Sequence, residues 1–100
     1  MVKVGLFVRL QAKPGKEAAV SELLEKALAM ANEEANTPVW FALRLAPSTF
    51  AIFDAFNDDA ARQAHLGGAI AVALLTQAPH LLAEVPRIER LDVLGAKLPS

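Results

Sequence analysis

The segment from Phe50 to Gly68 constrains the fold more than any other part of the chain. It opens as an apolar, aromatic run, Phe50-Ala51-Ile52-Phe53-Asp54-Ala55-Phe56, which predicts a strand. The polar turn Asn57-Asp58-Asp59 follows at once, and Ala60-Ala61-Arg62-Gln63-Ala64-His65-Leu66 continues as helix-forming sequence. Asn57 or Asp58 is placed to cap that helix by accepting a backbone N–H, and Asp59 complements its positive end. The strand therefore feeds directly into a helix that presents His65 just before the glycine pair Gly67-Gly68.

The remaining elements arrange themselves around this unit. Val4 to Gln11 alternates, with Val4, Leu6, Val8 and Leu10 on one face and Gly5, Phe7, Arg9 and Gln11 on the other. Lys13-Pro14-Gly15-Lys16 is turn chemistry. From about Lys16 to Ala35, the apolar residues Val20, Leu23, Leu24, Ala27, Leu28 and Ala31 recur at helical spacing. Asn36-Thr37-Pro38 ends that helix, because a residue before proline is driven out of helical geometry. Val39 to Leu45 and Thr49 to Phe56 are two strands joined by Ala46-Pro47-Ser48, a connection short enough to require an antiparallel hairpin. Beyond the glycines, Ala69 to Gln77 resumes helical periodicity, Pro79 is placed to open one further turn through Leu82, and Ile88 to Leu94 is the last strand. The order is β-α-β-β-α-β, the split ferredoxin-like arrangement of an α+β fold, with both helices on one face of a four-stranded antiparallel sheet. It is expected to form a single domain over residues 1–100.

Composition narrows the function. A formal net charge of −1, with charged residues scattered singly, provides no basic stripe for phosphates, so nucleic acid is not an expected partner. The chain has no cysteine, which removes disulfide and thiolate chemistry. The chain starts directly on a strand pattern without an apolar leader, and no apolar run approaches the ~20 residues that span a bilayer. The expectation is a cytoplasmic protein without membrane association. The hydrophobic share, 54%, is high for so small a domain. Its excess lies in the hairpin, where Val39, Phe41 and Leu43 oppose Trp40 and Ala42, and Phe50, Ile52 and Phe56 oppose Ala51, Phe53 and Ala55. An open sheet face of a monomer alternates to polar residues. One that stays apolar marks an interface, and two such faces packed together make a dimeric α+β barrel.

The opening strand with its Lys-Pro-Gly turn, the Leu- and Glu-rich helix, and the block Phe53-Asp54-Ala55-Phe56-Asn57-Asp58-Asp59-Ala60-Ala61-Arg62-Gln63-Ala64-His65-Leu66 resemble the antibiotic biosynthesis monooxygenase-like family over nearly the whole chain. In that family the block reads acid, any residue, aromatic, a short polar turn, Ala-Ala and a helical His; Asp54, Phe56 and His65 fall on those positions. The resemblance implies a homodimeric barrel with a pocket between sheet and helices. It also implies oxygenation of small aromatic, quinol-like compounds without metal or flavin. Asp54 stands where Glu is usual, and the first strand carries Arg9 and Gln11 where some relatives have Asn. Trp40 is displaced from the position of the tryptophan in haem-degrading relatives, so haem cleavage is the less expected chemistry.

The candidate catalytic residues are His65, whose ordinary pKa near neutrality suits a general base, and Asp54, whose mid-strand carboxylate requires a partner such as His65, Arg44 or Arg9. Arg9 and Arg44 interrupt apolar strands and are candidates to hold an acidic or phenolic substrate or to bridge the dimer. Trp40, Phe53 and Phe56 are candidates to stack on an aromatic ligand, although core packing is the ordinary role of aromatics at strand spacing. Two histidines fifteen residues apart do not form a helical metal pair, so no metal is expected. The same pocket also fits a non-catalytic small-ligand-binding or stress-related protein.

Overall fold

The structure, a computed structural model, describes residues 1–99; Ser100 lies outside the described residues. Its elements are β1 (Val4–Gln11), α1 (Glu17–Asn32), β2 (Val39–Ala46), β3 (Thr49–Phe56), α2 (Asp59–Leu66), α3 (Ala69–Leu81) and β4 (Arg87–Asp92). The strands form one antiparallel sheet in the order β2-β3-β1-β4, which is the ferredoxin-like topology. Gly15 takes a positive φ of 82° in the turn between β1 and α1, a conformation open to glycine but unfavourable for residues with a Cβ.

The alternation of β1 and β3 sets the core. Leu6, Val8 and Leu10 lie opposite Asp54, Ile52 and Phe50, so these residues share the face that the helices cover. Val20, Leu24, Ala27 and Ala31 of α1 and Ile70, Leu74 and Ala78 of α3 close over them. Burying each large aliphatic or aromatic side chain contributes about 1.5–3 kcal/mol, so this layer carries most of the stabilisation. Gly5 permits the close approach of the central strands. A Cβ there would stand 2.6 Å from the Asp54 carbonyl oxygen and 2.9 Å from the Leu91 side chain.

The other sheet face is largely apolar and has no covering layer among the described residues. Phe41 is half exposed and stacks on Phe53 at 6.4 Å between centroids; Phe7 and Leu43 are partly buried beside them. Alternation thus fails on β2 and β3 as the sequence predicts.

Boundaries differ from expectation in four places, β2 running one residue further, to Ala46. The expected break at Pro79 is absent: α3 runs to Leu81 with Pro79 inside its last turn. A proline there forfeits one helical N–H near an end, while Leu82 N still reaches Ala78 O at 2.9 Å and Lys13 Nζ binds the Pro79 carbonyl at 2.7 Å. The last strand is Arg87–Asp92 instead of Ile88–Leu94, although Val93 N continues to bond Lys3 O at 2.8 Å. Helix α1 stops at Asn32, three residues early, because Glu33 and Glu34 N–H turn to the carbonyls of Met30 and Ala31, three residues back. That tighter turn releases Glu34 from the helix.

Candidate functional site

The tight connection after β3 folds α2 back across its own strand. Asp58 caps α2 by accepting from Ala61 N at 2.8 Å, which sets the phase of the helix and turns His65 toward the sheet. Among the described residues of α2, His65 alone is buried. This helix is therefore docked by polar contacts more than by an apolar stripe: Arg62 Nη1 donates to the carbonyls of Gly5 (3.3 Å) and Leu91 (3.2 Å).

Asp54 lies on the helix-covered face of β3, between Leu6 and Trp40 on the flanking strands, and is only 1% exposed. Its Oδ2 stands 3.0 Å from His65 Nε2, within ion-pair reach although off the line of the ring N–H. Neither carboxylate oxygen has a hydrogen-bond partner among the described residues. On the other side of the ring, Nδ1 is 2.7 Å from Glu34 Oε1, an oxygen that also accepts from Thr37 Oγ1 at 2.8 Å. The Phe56 ring packs against the imidazole, centroids 5.2 Å apart and tilted by 45°. The two carboxylates occupy opposite nitrogens of one ring, which holds the ring instead of converging on a metal ion.

Burial works to lower the pKa of His65, but the close contacts with Asp54 and Glu34 and the charges of both carboxylates outweigh it, so the net shift is upward from 6.5. A folded-state pKa above the unfolded value stabilises the protein most below the unfolded pKa. That contribution disappears as pH rises through the raised folded value. The expected result is a urea midpoint that falls from pH 6 toward pH 9, with the fall flattened in Glu34→Gln; equal slopes in the two proteins would count against the linkage.

Asp54 and His65 form the polar end of a small cavity of about 70 Å³, otherwise walled by apolar residues including Leu66, Ile70, Leu75 and Ile88. So small a space suits a small molecule or the leading hydroxyl of a larger one. Leu75, Pro86 and Ile88 also belong to a wider surface groove of about 410 Å³ running along α3 and β4.

Of the residues singled out from the sequence, the structure brings His65, Asp54 and Phe56 together. Trp40 is the cross-strand neighbour of Asp54 but lines a separate cleft of about 350 Å³ between α1 and β2, with Arg44. Arg44 sits 4.8 Å over the Phe50 ring there. Arg9, 5.8 Å over Phe7, and Phe53 lie on the opposite sheet face. Neither arginine partners Asp54; the histidine does. Glu34 and Thr37 were not identified from the sequence, and no spacing rule connects Glu34 to a histidine 31 residues later.

No family model matches the chain, and no curated protein does. A solved structure, the NE2512 protein of unknown function from Nitrosomonas europaea, is 56% identical, with a TM-score of 0.97 over 100% of this chain and 97% of its own. The chain belongs to the family of that protein. Beyond the NE2512 family, a candidate antibiotic biosynthesis monooxygenase from Nitrosomonas europaea superposes with a TM-score of 0.82 at 17% identity, covering 92% of this chain and 99% of that one. Another from Caulobacter crescentus gives 0.78 at 21% identity, covering 94% and 92%. The NE2512 family thus has the antibiotic biosynthesis monooxygenase-like fold.

Proposed function

We propose that the protein is a cofactor-independent monooxygenase that oxidises a small aromatic, quinol-type compound with O₂. The observation that carries this reading is a deeply buried carboxylate–imidazole pair at the polar end of an apolar cavity. Buried titratable pairs in clefts are where proton-transfer groups are found, and the names of the structural neighbours point to the same reaction class. In such a reaction the Asp54–His65 pair removes a phenolic proton and the electron-rich anion then adds O₂ at a ring carbon. One oxygen atom becomes a quinone carbonyl and the other leaves as water, so a phenol and O₂ give a quinone and water with all electrons supplied by the substrate. The apolar wall excludes water from the anion, and the imidazole stabilises its charge.

The protein works as a homodimer in this reading, the open face around Phe41, Phe53 and Phe7 covering its equivalent in a second copy. Light scattering should give the mass of a dimer at micromolar concentration, and Phe41→Glu should give a monomer. A monomeric wild type would remove the barrel.

The activity is tested by oxygen uptake with a panel of hydroquinones and polyphenols, comparing wild type with His65→Ala and Asp54→Asn. Enzyme-dependent uptake that falls at least about a hundredfold in the variants is the expected result. The small volume favours a second reading, a binding protein for a small ligand without turnover. Uptake no faster than autoxidation with every compound, together with ligand-induced thermal shifts, would establish it instead.

A further inference from the structure

We propose that Asp54 Oδ1, not the His65 ring, takes the substrate's proton, and that Glu34 is a positioning residue that keeps His65 protonated for that step. This rests on the monooxygenase reading above. A neutral imidazole has one N–H and one lone pair, whereas an ionised carboxylate only accepts hydrogen bonds. Here both ring nitrogens face carboxylate oxygens, at 2.7 and 3.0 Å. A neutral ring would set its lone pair against one of the carboxylates, so the arrangement favours an imidazolium, with Nδ1–H on Glu34 and Nε2–H in ion-pair reach of Asp54. Such a ring has no lone pair left to act as a base.

The acceptor that remains is Asp54 Oδ1. Both oxygens of this residue, which lines the cavity and is 1% exposed, lack a hydrogen-bond partner among the described residues; Oδ2 is held in ion-pair reach of Nε2, which leaves Oδ1. A buried acceptor without a donor is costly, and a substrate hydroxyl entering the cavity would supply the donor. In the transfer the substrate O–H bond breaks, Oδ1–H forms, and the electron pair stays on the substrate oxygen. The carboxylate–imidazolium–carboxylate group carries one negative charge before the step. Afterwards that charge sits on the substrate oxyanion beside the imidazolium, so the buried net charge does not change.

The surrounding charged groups leave this assignment intact. Arg62 of α2 is engaged by Asp59 at 2.7 Å and by the Gly5 and Leu91 carbonyls. Arg90 and Asp92 of β4 share the helix-covered sheet face but are exposed, as is Glu33 at the end of α1. In α3 the one charged or titratable side chain is His80, in the last turn and exposed.

The ¹⁵N NMR spectrum of the full-length protein should show both His65 ring nitrogens protonated at neutral pH. Glu34→Gln should lower the pH at which the ring loses its proton and reduce kcat with little change in KM. A single-protonated ring in the wild type would overturn the proposal. With hydroquinone as substrate, Asp54→Asn should lose at least about a hundredfold in turnover, and His65→Gln, which keeps an N–H donor on that side chain, should lose less. The reverse ranking would restore His65 as the base. If no compound is turned over, 4-nitrophenol serves as the probe at a pH where it is protonated in solution. Phenolate absorbance on binding to wild type and His65→Gln but not to Asp54→Asn would sustain the assignment without the oxygenase reading, and no phenolate in the wild type would end it.

Discussion

His65→Ala should destabilise the protein by about 3–5 kcal/mol at neutral pH, the range for removing one partner of a buried ion pair. The loss leaves the Asp54 carboxylate, 1% exposed, without its cationic neighbour and removes the ring against which Phe56 and Glu34 are placed. Acid should relieve part of the effect, because a protonated carboxyl is less unfavourable to bury than a carboxylate. Replacing both partners by apolar residues, as in Asp54→Val with His65→Leu, should recover most of the loss, since well-packed apolar substitutes for a buried pair are often neutral or better. Urea titrations of the wild type, the single and the double variant check both outcomes. A single variant within about 1 kcal/mol of the wild type, far below the range for a broken buried pair, would mean that the pair is solvated in solution.

Phe56→Ala should cost a comparable amount, about 3–5 kcal/mol, for the separate reason that it opens a cavity. Phe56 is fully buried, ends β3 opposite Val4, and packs on the imidazole. Its loss therefore affects both the core and the site. Phe56→Leu fills most of the space and should retain most of the stability while leaving the imidazole less restrained. The checkable outcome is a denaturation midpoint close to wild type for the leucine variant and far below it for alanine. Similar midpoints would show that the site collapses around the missing ring.

These effects converge on one strand-turn-helix unit whose organisation is legible in the chain. The alternation of Phe50, Ile52, Asp54 and Phe56, the cap at Asp58 and the helix carrying His65 all depend on neighbours within a few residues. The meeting of Asp54 with His65 was open to inference for the same reason: a short connection returns the helix over its own strand. The open apolar face was legible too, because Phe41 and Phe53 break an alternation that water would otherwise impose. Pro79 shows the limit of local rules, since lost hydrogen bonding near a helix end is small enough for the surrounding contacts to override it.

The distribution of the remaining candidates needed the third dimension. Arg9 and Phe53 differ from Asp54 only in strand parity, yet they lie behind the sheet. Trp40 lies across from Asp54 but contributes to the wall of another cleft, because β2 is an edge strand and its side chains meet α1. Glu34 reaches His65 only because α1 ends one turn early and its last carbonyls draw Glu33 and Glu34 into a tight loop over α2.

By itself the sequence determined the order of strands and helices, the apolar stripe of α1, and the need of Asp54 for a partner among His65, Arg44 and Arg9. All of these follow from periodicity and short-range geometry. Tertiary structure decided which polar groups share a space, how small that space is, and that the histidine lies between two carboxylates. Those outcomes depend on where distant segments come to rest when the core closes, and a charge on one loop carries no local mark of the ring it will meet.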